Sequence, residues 1–193
     1  MKRSSAPPVH LPSQPPNPTH RTLRGYAFDP SLATRLDTAL LSEIDYRVQW
    51  EDVGLGPVGE YIEVVDYDPA SGCFYAPVDL SDPAVLAENG LPPSEGNPQF
   101  HQQMVYAVAM TTIDRFERAL GRKAIWADRW TGSGESREDK FVQRLRIYPH
   151  ALRDANAYYS RDKMALLFGY FPATAARASS QFPGGLIFTC LSH

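Results

Sequence analysis

The residues with chemistry to offer are the run Asn156-Ala157-Tyr158-Tyr159 and a few scattered histidines and carboxylates. An asparagine amide donates and accepts at once, so it can pair with both polar groups of a peptide bond. A small residue such as Ala157 lets a second backbone come close. An exposed strand edge offers unpaired N–H and C=O groups, to which an extended peptide can add as one more strand. The plainer reading of the same residues is an edge hairpin, with Ser160-Arg161-Asp162-Lys163 as a polar turn between apolar runs.

The other titratable groups read as structural. His10 and His20 fall in a proline-rich leading segment. His101 lies in the first turn of a long helix beside Gln102 and Gln103, which are not ligands, and reads as a helix-surface or core histidine. His150 follows Pro149 in a loop, with no His, Cys or carboxylate at ligand spacing. No His-Glu-x-x-His, Cys-x-x-Cys or phosphate-binding glycine loop occurs. Gly132-Ser133-Gly134-Glu135-Ser136 reads as a surface turn, and Ser133 is not in a nucleophile elbow. Asp66 and Asp68 flank a turn and read as turn formers rather than calcium ligands. Asp114 and Arg118, four residues apart, form an ordinary helix salt pair. No catalytic or metal-binding residue is assigned.

The elements that must position these groups follow from local signals. Residues 1 to about 22 hold six prolines and few large apolar groups, which predicts a disordered arm. Asp29-Pro30 opens a short helix with Leu32, Leu36, Leu40 and Leu41 on one face. Tyr46 to Trp50 alternates as a strand, and Glu60 to Tyr67 is a second. Asp68-Pro69-Ala70-Ser71-Gly72 turns it back into Cys73 to Val78 as a hairpin, with Pro77 placing the return strand at an edge. Residues 81 to 97 form a polar connection. The strongest signal is a largely buried helix over 98–120: Asn97 caps it, Pro98 takes its first position and Gly121 stops it. Strands are predicted from Lys123 to Trp130, Phe141 to Tyr148 and Met164 to Phe171, followed by an apolar run from Gly184 to Cys190. The organisation is thus an arm over 1–22, a β-rich region over 23–96 and a second region over 97–193, in the α+β class.

Composition narrows the partners. A net charge of −3 with no basic stripe gives no case for nucleic acid. No run approaches the roughly 18 apolar residues of a membrane span, and Lys2-Arg3 lead into no apolar signal region, so a cytoplasmic protein is expected. Cys73 and Cys190 are expected to be free buried thiols.

Taken in order, these elements resemble a known family. A long helix holding Thr112-Ile113-Asp114-Arg115-Phe116 precedes a strand, then come Asn156-Ala157-Tyr158-Tyr159, a polar turn, Leu166-Leu167-Phe168-Gly169-Tyr170 and a Gly-Gly apolar run. The order resembles the N-terminal half of the catalytic domain of thermolysin-like zinc metallopeptidases, the gluzincins. It covers roughly residues 97 to 193, and residues 21 to 96 match only loosely as a β-rich region. In that family an Asn-Ala-Phe/Tyr-Trp stretch is the substrate-binding edge strand. The resemblance implies that Asn156 hydrogen-bonds the substrate main chain, that Ala157 offers its carbonyl and that Tyr159 offers its backbone amide. Tyr159 stands where the family usually has Trp. It implies a peptide or protein substrate, and zinc in the parent protein held by ligands outside this chain. Tyr170 and Phe171 replace the family's acidic, calcium-linked residues, which leaves calcium binding unsupported. The missing secretion signal departs from typical members.

The apolar run ending at Leu191-Ser192-His193 reads as a cut through such a domain, ahead of the family's His-Glu-x-x-His. The expectation is therefore an N-terminal metallopeptidase fragment, inactive alone, that carries half of a substrate cleft. Leu166, Phe168 and Ile187 would be left uncovered, predicting poor solubility. The alternative is a non-enzymatic peptide- or partner-binding module.

Overall fold

The computed structural model describes residues 17–28, 42–127, 129–131, 138–173 and 185–191. Along the chain come β1 (His20–Tyr26), β2 (Glu43–Gln49), β3 (Ile62–Val64), β4 (Tyr67–Asp68), β5 (Cys73–Phe74), α1 (Pro83–Ala87) and α2 (Pro98–Leu120). Then follow β6 (Arg129–Thr131), β7 (Glu138–Lys140), β8 (Leu145–Leu152), β9 (Ala157–Ser160), β10 (Ala165–Pro172), β11 (Leu186–Phe188) and a 3-10 turn, Thr189–Leu191. The class is mixed α+β, and no helix among the described residues is long and apolar enough to cross a membrane.

The main sheet runs β11-β10-β8-β3, with β9 also paired to β10. β8 is parallel to both β3 and β10, while β9 and β11 run antiparallel to β10. Because β3 lies in the 23–96 region and β8 and β10 in the 97–193 region, the two expected regions share one sheet. They also share one core, in which Leu23, Val48, Ile62, Phe100, Met104, Ile147 and Leu191 are buried together. Each such side chain contributes about 1.5–3 kcal/mol through burial.

Helix α2 forms where local chemistry places it. The Asn97 side chain accepts from the Gln99 N–H, Pro98 fills the first turn, and Gly121 closes the helix in the left-handed conformation. Its burial is less complete than the largely buried helix expected. The N-terminal half is buried and includes His101, Gln102 and Gln103, whereas Phe116 and Leu120 near the other end are exposed. The two glutamines are buried because they satisfy backbone groups of β1 and of the loops packed on the helix. Gln102 accepts from the Val78 N–H and donates to the Ala76 carbonyl. Gln103 accepts from the Leu91 N–H and donates to the Arg24 carbonyl.

Several boundaries move. The strand β1 begins at His20, inside the segment expected to be an arm. Arg21 is buried there over the Trp50 ring and donates to the carbonyls of Leu80 and Glu51. The helix expected over 29–41 and the turn at Gly132-Ser136 lie outside the described residues. The strand expected over 60–67 is split into β3 and β4 at Asp66, whose side chain turns into the core. The hairpin that follows is only β4 with β5, and Pro77 lies outside it. Segment 123–127 is not a strand: side chains hold it, with Ala124 N–H donating to Glu117 and the Trp126 indole to the Tyr61 carbonyl. The Phe141 strand starts instead at Leu145, because β3 sets its register through Leu145 N–H to Tyr61 and Val65 N–H to Ile147, each 2.9 Å. Pro149 is tolerated inside β8 because its missing N–H would face the flank beyond the end of β3.

Candidate functional site

The edge strand β9 and the loop before it hold the expected binding residues. Antiparallel pairing sets Ala157 opposite Phe168, Tyr158 opposite Leu167, Tyr159 opposite Leu166 and Ser160 opposite Ala165. The Gly169 N–H donates to the Asn156 carbonyl at 2.9 Å. In an antiparallel ladder hydrogen-bonded and non-bonded pairs alternate. Tyr158 and Ser160 therefore turn their N–H and C=O groups toward β10, and Ala157 and Tyr159 turn theirs away from it. The other side of the sheet agrees: Leu145 and Ile147 of β8 bond toward β3, so the alternate residues Arg146 and Tyr148 face β10. Asn156, Ala157, Tyr158 and Tyr159 are all exposed.

The edge is fixed from beneath. A Cβ at Gly169 would overlap the Asp154 carbonyl oxygen and stand 2.9 Å from that of Asn156, so glycine is what lets the 153–156 loop cross β10. Thr189, in the 3-10 turn, accepts from the Gly169 N–H at 2.9 Å, and its hydroxyl is 3.2 Å from the Asn156 carbonyl oxygen. Asn156, Ala157 and Tyr159 are thus brought together on one exposed edge held by Gly169 and Thr189.

A second constellation lies in the core. His101 from α2, His150 from β8 and Asp66 from the link between β3 and β4 form a buried chain. Asp66 Oδ1 is 2.6 Å from His150 Nδ1, and its Oδ2 accepts from Gln102 Nε2 at 2.8 Å. His150 Nε2 is 2.8 Å from His101 Nδ1, and His101 Nε2 is 3.0 Å from the Glu95 carbonyl oxygen. The rings of Tyr75 and Phe188 flank the pair. Burial, and then repulsion from His150, lower the His101 pKa to about 4. Cys190 of the 3-10 turn is also buried, which pushes its thiol pKa up. One ligand atom from each of His101, His150 and Cys190 lies within 4.8 Å of the others.

Sequence spacing places His150 in a loop with no partner, whereas the structure sets it inside β8 and against His101 and Asp66. Asp66 is correspondingly not a turn former. Asp68 is one: it accepts from the Ala70 and Ser71 N–H groups, and also from the Tyr170 hydroxyl at 2.9 Å. Both cysteines are free, with Cys190 buried and Cys73 half-buried. Asp114 and Arg118 pair at 2.8 Å. The signal that could have drawn attention to the cluster is the run His101-Gln102-Gln103 at the start of an otherwise apolar helix, since buried polar groups need partners.

Beside these sites an apolar groove of about 540 Å³ opens between the C-terminal half of α2 and the sheet, lined by residues including Val108, Phe116, Trp126, Leu166 and Phe168. Comparison with protein-family models, with curated proteins and with solved structures gave no match, so the functional reading rests on this geometry and the sequence.

Proposed function

We propose that this chain binds extended peptides along β9, as the substrate-aligning half of a thermolysin-like zinc metallopeptidase catalytic domain. The observation that carries the reading is that Ala157 and Tyr159 direct their main-chain groups away from β10 on an exposed edge. A peptide laid along that edge continues the sheet through main-chain hydrogen bonds, which fits a ligand recognised by backbone rather than by sequence. Asn156, exposed at the head of the strand, adds an amide that can meet one further peptide unit. The exposed rings of Tyr158 and Tyr159 flank the edge. The chain's part is binding and alignment. Among the described residues, those around β9 do not offer the three metal ligands and open position of a catalytic zinc, and none of the cleavage chemistry is assigned to them.

The test is titration of a labelled extended peptide, with a copy N-methylated at alternate amides as control, alongside a hydrolysis assay of the natural gene product. Binding lost on N-methylation, with hydrolysis abolished by 1,10-phenanthroline, supports the reading. Binding without hydrolysis makes the chain a non-enzymatic peptide-binding module. Equal affinity for both peptides, or none, overturns the edge-strand reading.

A further inference from the structure

The proton inventory of the His101–His150 contact leaves a gap. A carboxylate only accepts, so the nitrogen of His150 that meets Asp66 carries the proton. A backbone carbonyl only accepts, so the nitrogen of His101 that meets Glu95 carries the proton. In two neutral imidazoles the remaining nitrogens, His101 Nδ1 and His150 Nε2, are then both bare lone pairs, and they face each other at 2.8 Å inside the core. Such an arrangement needs a positive centre between or beside them, which is either an extra proton or a metal ion.

We infer that His101, His150 and Cys190 form a buried structural site for a divalent transition metal, with zinc the expected occupant. Three observations favour metal over proton. The third group is a cysteine, whose sulfur lies within 4.8 Å of the histidine ligand atoms. Imidazole with thiolate is a zinc-type donor set. Each histidine already has the outer partner that metal-bound histidines use to fix ring orientation, Asp66 for His150 and the Glu95 carbonyl for His101. The charges also close: a divalent ion, the Cys190 thiolate and the Asp66 carboxylate sum to zero, which suits a buried position. Tetrahedral zinc sets two nitrogens about 3.3 Å apart, so the imidazoles need to part by roughly half an ångström and the sulfur to draw in by about one. The ligands come from α2, β8 and the turn after β11, so a bound ion ties the helix to both parts of the sheet. The set supplies three of the four tetrahedral positions and leaves the fourth to a water molecule; burial of all three ligands keeps substrate from that position, so the ion's part is to hold these elements together.

The site shares no residue with β9, and its ligand set differs from the His2Glu set of thermolysin, which contains no sulfur. Sulfur in the metal's coordination shell therefore separates it from a catalytic gluzincin zinc. The experiment uses the full chain, stripped with EDTA and titrated with Zn²⁺ and with Co²⁺ as optical probe. The expected result is one equivalent bound, a thiolate-to-cobalt absorption band in the near ultraviolet, and an X-ray absorption shell with a sulfur at about 2.3 Å beside nitrogens at about 2.0 Å. The band is expected to be lost in Cys190→Ser and kept in Cys73→Ser, and Asp66→Asn is expected to weaken binding about 10–100-fold. X-ray absorption on the unsubstituted chain decides the matter if the variants do not fold. Less than about a tenth of an equivalent, or an equimolar metal with a shell of nitrogen and oxygen alone, overturns the site. The histidines then share a proton, and the peptide-binding reading stands or falls separately.

Discussion

The Thr189 hydroxyl lies 3.2 Å from the Asn156 carbonyl oxygen, and the same oxygen atom of Thr189 accepts the Gly169 N–H at 2.9 Å. The 3-10 turn that directs Cys190 into the core thus also holds the head of the exposed edge strand. One short segment after β11 is linked to both constellations.

Thr189→Val tests that link, since valine keeps the shape and removes the hydroxyl. The Gly169 N–H retains the Asn156 carbonyl as acceptor, so the loss is confined to the bonds made by Thr189. The expected cost is about 1–2 kcal/mol in urea unfolding, with weaker peptide binding through a looser Asn156. Unchanged stability and affinity would show that the Gly169 bond alone positions the strand.

Acid sensitivity is expected at Asp68, which is fully buried. Burial raises its pKa, but the hydroxyls of Ser71 and Tyr170 and the N–H groups of Ala70 and Ser71 outweigh that and hold it below 3.8. With the folded value depressed, the unfolded chain takes up the proton first. The contribution is complete above the unfolded pKa and is lost as pH falls through the lower folded one. Asp68→Asn is expected to cost about 1–3 kcal/mol at pH 7, and the gap to the unsubstituted protein should narrow by pH 3. A gap that does not change with pH would remove Asp68 from the acid transition.

What the sequence makes legible here is what is written locally. Asn97, Pro98 and Gly121 bound α2 because caps and stops act within one turn. The hairpin of β9 and β10 is equally plain, since a polar turn separates two apolar runs. The start of β8 is not, because the alternation from Phe141 is overruled by the pairing of Leu145 and Ile147 with β3. His101 and His150 are 49 residues apart, and no spacing rule reaches that far. Only the parallel sheet and the helix laid on it bring them within 2.8 Å, so local patterns register two isolated histidines where the fold makes a pair.

The groove beside α2 predicts self-association. Phe116 and Ile125 line it and remain 62% and 73% exposed. Contiguous apolar surface of this kind promotes association in water. Replacing both with lysine is expected to lower light scattering and dye binding at high concentration, while changing stability by only about 0.5 kcal/mol, as for surface sites. If scattering persists, another surface drives the association.

A pair of proline substitutions separates the two sides of the edge strand. The Tyr158 N–H faces Leu167, so Tyr158→Pro removes a ladder bond and is expected to cost about 1–3 kcal/mol. The Tyr159 N–H faces away from β10, where proline is compatible with an edge strand, so Tyr159→Pro should leave the unfolding midpoint nearly unchanged. The same variant removes the amide assigned to the peptide, and affinity is expected to fall about tenfold, a loss of about 1.4 kcal/mol. Tyr159→Thr serves as the control, because it deletes the ring and keeps the N–H. Near-normal binding by Tyr159→Thr together with loss in Tyr159→Pro places the interaction on the main chain. Equal loss in both would put it on the tyrosine ring, and β9 would then not be acting as a template for an added strand.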